Sequence, residues 1–245
     1  MAMSPRLLRP RATGKYSALR VGLVAYVPMN ETATSGNVTA DDWTRRGNSF
    51  TSNNTVLSVA GRVGNARTFV GANTQFLSCS YTNDLKWQEA DFTLTFWYLI
   101  PSGATNTGSH IISSDGAARD SHLVINTSGG RPVAWLRMTD NTEQGPLNFG
   151  TAGTTTADTW NWCAVRKSGT ALTLRWNSSV TSATQSTGKS LGCPGTPAGF
   201  RIGARLDNSS YFTGYIDEFC KWSRAVSDAE LDTIYNSGAG IDLRS

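Results

Sequence analysis

The side chains able to do acid–base or nucleophilic chemistry are few, and their spacing suits no hydrolytic centre. The chain has five glutamates, Glu31, Glu89, Glu143, Glu218 and Glu230, and only two histidines, His110 and His122. A hydrolytic triad of the α/β-hydrolase kind needs a serine on a sharp strand-to-helix turn, and no Gly-x-Ser-x-Gly sequence occurs. Asp217 and Glu218 are consecutive, so a regular strand would point them to opposite faces. Cys79, Cys163, Cys193 and Cys220 lack the Cys-x-x-Cys spacing of a zinc site. Cys163 and Cys220 sit in apolar runs and read as free buried thiols. Cys79 and Cys193 lie near loops, where pairing stays open. The set of catalytic residues is therefore empty, and the remaining chemistry is that of binding. Trp97, Trp135, Trp160 and Tyr211 are candidate platforms for a sugar ring, although aromatics in a sandwich more often belong to the core.

Composition narrows the class. Of 245 residues 39% are hydrophobic and 16% charged, against about 25% charged in ordinary soluble domains. The surface is thus one of Ser, Thr, Asn and Gly. Eight Trp, seven Tyr and nine Phe are too many for a chain that never packs. No apolar run approaches the roughly 20 residues of a membrane span. Before Glu31 stand five basic residues, Arg6, Arg9, Arg11, Lys15 and Arg20, and no acidic one, while the other 17 basic residues face 18 acidic ones. The net charge of +4 is thereby an arm on a nearly neutral body, which argues against nucleic acid as main ligand. The arm has no apolar segment of the roughly 7–15 residues that a signal peptide requires. With Pro5 and Pro10 to stiffen it and arginines to fork onto carboxylates, residues 1–21 are expected to form a docking arm and residues 22–245 one domain.

The elements that must position any site are mostly strands. Phe92, Leu94, Phe96 and Tyr98 alternate onto one face, as do Leu172, Leu174 and Trp176. Val133, Trp135 and Arg137 oppose Ala134, Leu136 and Met138. Further strands are expected at 23–28, 67–70, 110–113, 122–126, 162–166, 200–202 and 211–222, separated by Gly-, Asn- and Ser-rich turns. Many short strands with turns at this spacing predict an all-β sandwich. One helix is expected after Ser227: Ser227 and Glu230 form a capping box, Leu231, Ile234 and Tyr235 share a face, and Gly238 ends it.

Six segments in this order resemble the laminin G-like, concanavalin A-like jelly-roll family, with pentraxins as relatives. They are Gly22 to Glu31, with Val27 where an aromatic is usual; Gly61 to Phe69; Asp91 to Trp97; Ile111 to Ser113; Trp160 to Val165; and the tail, Arg201-Ile-Gly203, Phe212 to Glu218 and Arg224 to Tyr235. The resemblance implies a two-sheet antiparallel jelly-roll sandwich with one short C-terminal helix. Cys163 matches half of a pentraxin disulfide, but Thr95 stands in the partner position, so that cross-link is absent.

The same resemblance brings functional expectations. Glucanases of this fold use an E-x-D-x-x-E strand that sets two carboxylates about 5 Å apart, and this chain has none, which leaves a degenerate glucanase as the weakest reading. Members often hold a Ca²⁺; the matching positions are Asn30, Glu31 and Asp217. Because Ile216 and Phe219 should both face inward, a bulge is expected at 217–218, from which Asp217 would reach a cation or cap backbone amides. The leading expectation is a non-enzymatic virion surface protein, a phage head decoration or tail component. It would be made in the host cytoplasm and dock through its basic arm on a viral capsid or tail protein, with the sandwich facing out to stabilise the shell or touch cell-surface glycans. The alternative is a stand-alone carbohydrate-binding lectin, and a homo-oligomer is a further possibility.

Overall fold

The computed structural model describes residues 14–80, 82–85, 87, 89–106, 108–116, 119–125, 132–140, 142–147, 156–192 and 199–245. Among them the strands in chain order are β1 (Leu23–Val27), β2 (Thr51–Asn53), β3 (Leu57–Ala60), β4 (Asn65–Phe69), β5 (Phe76–Cys79), β6 (Phe92–Leu99), β7 (His110–Gly116), β8 (Arg119–Ile125), β9 (Pro132–Arg137), β10 (Glu143–Leu147), β11 (Trp160–Ser168), β12 (Ala171–Trp176), β13 (Ser179–Thr184), β14 (Gly199–Ile202) and β15 (Gly214–Trp222), followed by helix α1 (Asp228–Tyr235). They form a jelly-roll sandwich of two antiparallel sheets. One sheet is ordered β13-β12-β11-β6-β15-β4-β3, with β1 also paired to β15; the other is ordered β10-β9-β8-β7-β14-β5-β2. Among the described residues no helix is long and apolar enough to cross a membrane.

Alternation decides which side chains enter the space between the sheets. Phe92, Leu94, Phe96 and Tyr98 of β6 meet Leu172 and Leu174 of β12, Ala134 and Leu136 of β9, and Ile202 of β14 in one buried cluster. Phe50, Phe200 and Phe219 pack edge to face there, with ring centroids 5.6–5.8 Å apart. A second cluster covers the outer face of the larger sheet. Trp97, Trp162, Cys220 and Trp222 alternate outward, and Leu231 and Ile234 of α1 close over them. The helix starts with the expected capping box at Ser227 and Glu230, but it ends at Tyr235 on Asn236, whose φ of +48° closes it before Gly238. Cys79, Cys163 and Cys220 are free thiols; Cys193 lies outside the described residues.

Residues just before Gly22 pack on the body. Ser17–Arg20 form a 3₁₀ turn with Leu19 buried, and the Trp222 indole donates to Leu19 O at 2.7 Å. Arg20 donates from Nε to Leu243 O and from Nη2 to Ser245 O, at 2.7 and 3.1 Å. It is therefore a fixture of the body that ties the first described turn to the C-terminus. Lys15 sits over the Tyr16 ring at 5.1 Å. Arg6, Arg9 and Arg11 lie outside the described residues.

The bulge on β15 marks a change of neighbour. Its first residues, Gly214–Ile216, pair with β4, and Phe219 to Trp222 pair with β1 on the same side. The register against β6 shifts between Asp217 and Cys220, and Glu218 takes a φ of +51°. That conformation costs an ordinary residue about 1–2 kcal/mol, so the surroundings must hold it.

Candidate functional site

Three of the segments that carry the family resemblance meet at this bulge, and the geometry there is that of a clamp. Asp217 is buried; its Oδ2 accepts from Arg62 N at 2.8 Å and Val63 N at 2.9 Å, and its Oδ1 from Glu218 N at 2.8 Å. Asn30 Oδ1 accepts from Asn65 N at 2.6 Å. The β3–β4 turn, Gly61 to Asn65, is thus gripped from both sides, and a Cβ on Gly64 (φ +71°) would fall 2.1 Å from Asn30 Oδ1. Glu31 pairs with the fully buried Arg67 at 3.0 Å and also accepts from Asp41 N at 3.0 Å.

These residues do not fit Ca²⁺, which wants six to eight free oxygens, several of them anionic. The oxygens of Asn30, Glu31 and Asp217 are committed to backbone amides and to a guanidinium, and the described residues contain no cluster of three or more metal-ligating side chains. Burial pushes the Asp217 carboxyl up to about 7, against the three amides that favour its anion. Burial and the neighbouring Asp217 carry Glu218 well above the carboxylate range. Glu218 accepts from the Tyr26 hydroxyl at 2.7 Å, which lies 3.1 Å from Asp242 Oδ1. Neither carboxyl faces open solvent, so neither can act as acid or nucleophile on a substrate.

An accessible concavity among the described residues lies elsewhere, along the segment leading into β2. Two adjoining depressions of about 460 and 430 Å³ share Gly47 and Ser49, a size suited to small ligands. The wall of the smaller one is built by Asp42, whose carboxylate accepts from Tyr26 N, Thr44 N, Thr44 Oγ1, Arg46 N and Asn48 N at 2.7–3.2 Å. This hub turns the loop outward and presents Trp43, 40% exposed. The Trp43 ring meets Tyr26 edge-on at 6.2 Å and carries the Arg20 guanidinium at 5.1 Å. The Asp41 carboxylate and the Arg45 guanidinium line the same hollow. Neither forms an ion pair or hydrogen bond with a described residue.

From Ser49 the trough runs onto the outer face of the seven-stranded sheet. Register places Thr51 opposite Ser78, Ser78 opposite Arg201, and Arg201 opposite Ser113. Leu77 and Ile202 point into the core, so this polar row points away from it. The Arg201 guanidinium lies 4.3 Å from the Phe76 ring, and Phe76 packs on Tyr211 at 6.3 Å. Arg201 Nη1 is held by Arg205 O and Asn208 Oδ1 at 2.8 and 2.9 Å. Trp43 thus stands at one end of a hydroxyl-lined track that reaches Arg201, and Phe76 and Tyr211 lie beyond the residues that line it.

The four aromatic candidates separate accordingly. Tyr211 packs on Phe76 beside Arg201, beyond the residues that line the trough. Trp135 is half-buried on the same sheet face, three strands from Arg201. Trp97 is not a platform: it is 2% exposed and stacked on Tyr235 of α1 at 5.8 Å and 17°, because the face it alternates onto is covered by the helix. Trp160 packs at the margin of that same covered cluster, against Tyr215, and lies on the other sheet from the trough. Sequence alone does not single out Trp43; its signal is an aromatic flanked by Asp, Thr and Arg with no strand periodicity.

Residues 71–232 match the family model described as the concanavalin A-like lectin/glucanases superfamily. No curated protein matches the chain in sequence. Among solved structures it is similar to domain 4 of AbnA, a GH43 extracellular arabinanase from Geobacillus stearothermophilus, in complex with arabinotriose. The TM-score is 0.64 at 14% identity, over 89% of this chain and 98% of that one. It is similar to the binding domain of Paraclostridial Mosquitocidal Protein 1, with a TM-score of 0.64 at 15% identity, over 90% of this chain and 53% of that one. It is also similar to the ligand-binding domain of botulinum neurotoxin serotype D in complex with N-acetylneuraminic acid, with a TM-score of 0.59 at 12% identity, over 88% and 50%. The chain spans about half the length of these two toxin domains.

Proposed function

The chain belongs to the concanavalin A-like lectin/glucanase superfamily, and from that premise we propose that it is a non-catalytic carbohydrate-binding module whose site is the Trp43–Arg201 trough. The observation that carries this reading is the exposed Trp43 ring at one end of a track of hydroxyl and guanidinium groups. A sugar ring offers C–H groups on its faces and hydroxyls on its rim, so it pairs an aromatic surface with scattered polar donors and acceptors. Support for binding without cleavage comes from the carboxylates of the trough: Asp42 is filled by five donors, and Asp41, its chain neighbour, has no facing partner among the described residues. The relatives crystallised with arabinotriose and N-acetylneuraminic acid make glycans the ligand class to try first.

A glycan array probed with the intact chain tests this. Binding to a defined set of oligosaccharides is expected, and Trp43→Ala should weaken it by about 2 kcal/mol, roughly thirtyfold in Kd, with the melting temperature unchanged. An array without binders, or binding indifferent to Trp43, contradicts the reading.

A second proposal concerns where the module works and is favoured by the charge asymmetry of the chain. We infer a virion surface, reached by docking of the basic start on an acidic capsid or tail protein through Arg6, Arg9, Arg11 and Lys15. Arg20 drops out of that set because the body holds it. Deleting residues 1–13 should abolish co-sedimentation with the particle while leaving glycan binding intact; unchanged co-sedimentation overturns the proposal.

A further inference from the structure

We propose that β13 is a homodimerisation edge, pairing antiparallel with β13 of a second copy about a two-fold axis at Ser182. A strand at the border of a sheet offers a row of unpaired N–H and C=O groups, and proteins blunt such borders with short strands, prolines, charges, bulges or covering segments. The other borders of this sandwich are blunted. β2 has three residues. β3 is met by the 31–34 segment, Ser58 N donating to Ala33 O at 2.8 Å. β10 contains Pro146, and its register shifts between Gln144 and Leu147. Among the described residues β13 has none of these devices. It runs six residues, Ser-Val-Thr-Ser-Ala-Thr, in unbroken register with β12.

The geometry selects the partner. The two-residue turn between Trp176 and Ser179 makes that pair a hydrogen-bonded one, so the N–H and C=O groups of Val180, Ser182 and Thr184 point away from β12. The described residues give them no partner. Val180 is 59% exposed, and Ser182 and Thr184 are exposed as well. A second antiparallel β13 can bond these groups only in a register that joins outward residues to outward residues. Centred on Ser182, that register sets Val180 opposite Thr184 of the other copy and Ser182 opposite Ser182, with every outward group paired. The strand carries no charge to oppose its own copy, its side chains are small, and the exposed Val180 gains an apolar contact at each end of the pair. Two eight-stranded sheets then become one continuous sheet, the closed arrangement that a two-fold axis imposes. An unrelated strand would meet the same backbone, but nothing along β13 selects one side-chain pattern or charge over another.

Light scattering and sedimentation velocity of the full chain, from micromolar to millimolar, test this. A mass of twice 26.3 kDa is expected to appear with concentration. Ser182→Lys, which opposes two ammonium groups at the axis while leaving an exposed position, should return the mass to 26.3 kDa, and Ser182→Thr should keep the dimer. Hydrogen exchange of the unaltered chain gives a reading independent of variants: the amides of Val180, Ser182 and Thr184 should slow as the dimer forms. A monomer throughout the range, a dimer untouched by Ser182→Lys, or edge amides protected only on adding an unrelated strand-forming peptide overturns the assignment.

Discussion

Asp217→Ala should destabilise the domain by about 4 kcal/mol, a large share of the roughly 5–15 kcal/mol that holds such a domain together. One carboxylate satisfies three backbone amides, those of Arg62, Val63 and Glu218. Each amide left without a partner out of reach of water costs about 1–3 kcal/mol. The loss would spread, because the same side chain joins the β3–β4 turn to the one place where β15 exchanges β4 for β1 as neighbour. Urea unfolding monitored by tryptophan fluorescence measures the shift in midpoint. Chelator added to the unaltered protein should leave that midpoint where it is, since Asp217 is occupied by amides. A midpoint that falls with chelator would restore a cation to the clamp.

The second large effect is on pH dependence. Glu218 is buried beside Asp217, Tyr26, Cys220, Asp242 and Arg244, and its folded pKa lies well above the ordinary 4.5; Asp217 is raised to about 7. Raised carboxyl groups favour folding while protonated. Their contribution is fully present below the unfolded values of about 4 and is lost as the pH climbs through the folded ones. The melting temperature should therefore fall from about pH 5 to pH 8, by several degrees. Glu230, held down to about 2 by Arg224, acts oppositely but only in stronger acid. Glu218→Gln keeps an acceptor for the Tyr26 hydroxyl and removes the charge. Its melting curve should match the unaltered protein near pH 5 and exceed it increasingly toward pH 8. The two histidines are common to both proteins and cancel in the difference. Parallel curves would show that burial does not raise the glutamate above its unfolded value.

Much of this architecture can be read from residue order, for physical reasons that also mark where such reading stops. Phe92, Leu94, Phe96 and Tyr98 alternate because one face of β6 is core, and Ser227 with Glu230 announces a helix start through local hydrogen bonds alone. The inward pointing of Ile216 and Phe219 on either side of two acids requires a bulge, and Asp217 caps amides there. Trp97 shows the limit of alternation. Period two places it opposite the core residues, yet it cannot tell solvent from a second layer, and the layer comes from α1, more than 130 positions later. β13 is illegible in the sequence for the reverse reason: an edge strand with little to bury carries no apolar rhythm. Trp43 was equally silent, because its exposure is set by the hub of bonds on Asp42, a loop geometry without a period.

On the proposed function, the trough from Trp43 to Arg201 holds a glycan. A two-dimensional NMR titration with the oligosaccharide that binds best on the array tests it most directly, through the indole N–H signals of the eight tryptophans. The Trp43 indole and the amides of Thr51, Ser78 and Arg201 should move together and saturate at one Kd, while Trp97 and Trp222, sealed beneath the helix, stay still. Shifts confined to the outer face of the eight-stranded sheet, with Trp43 unmoved, would contradict the account.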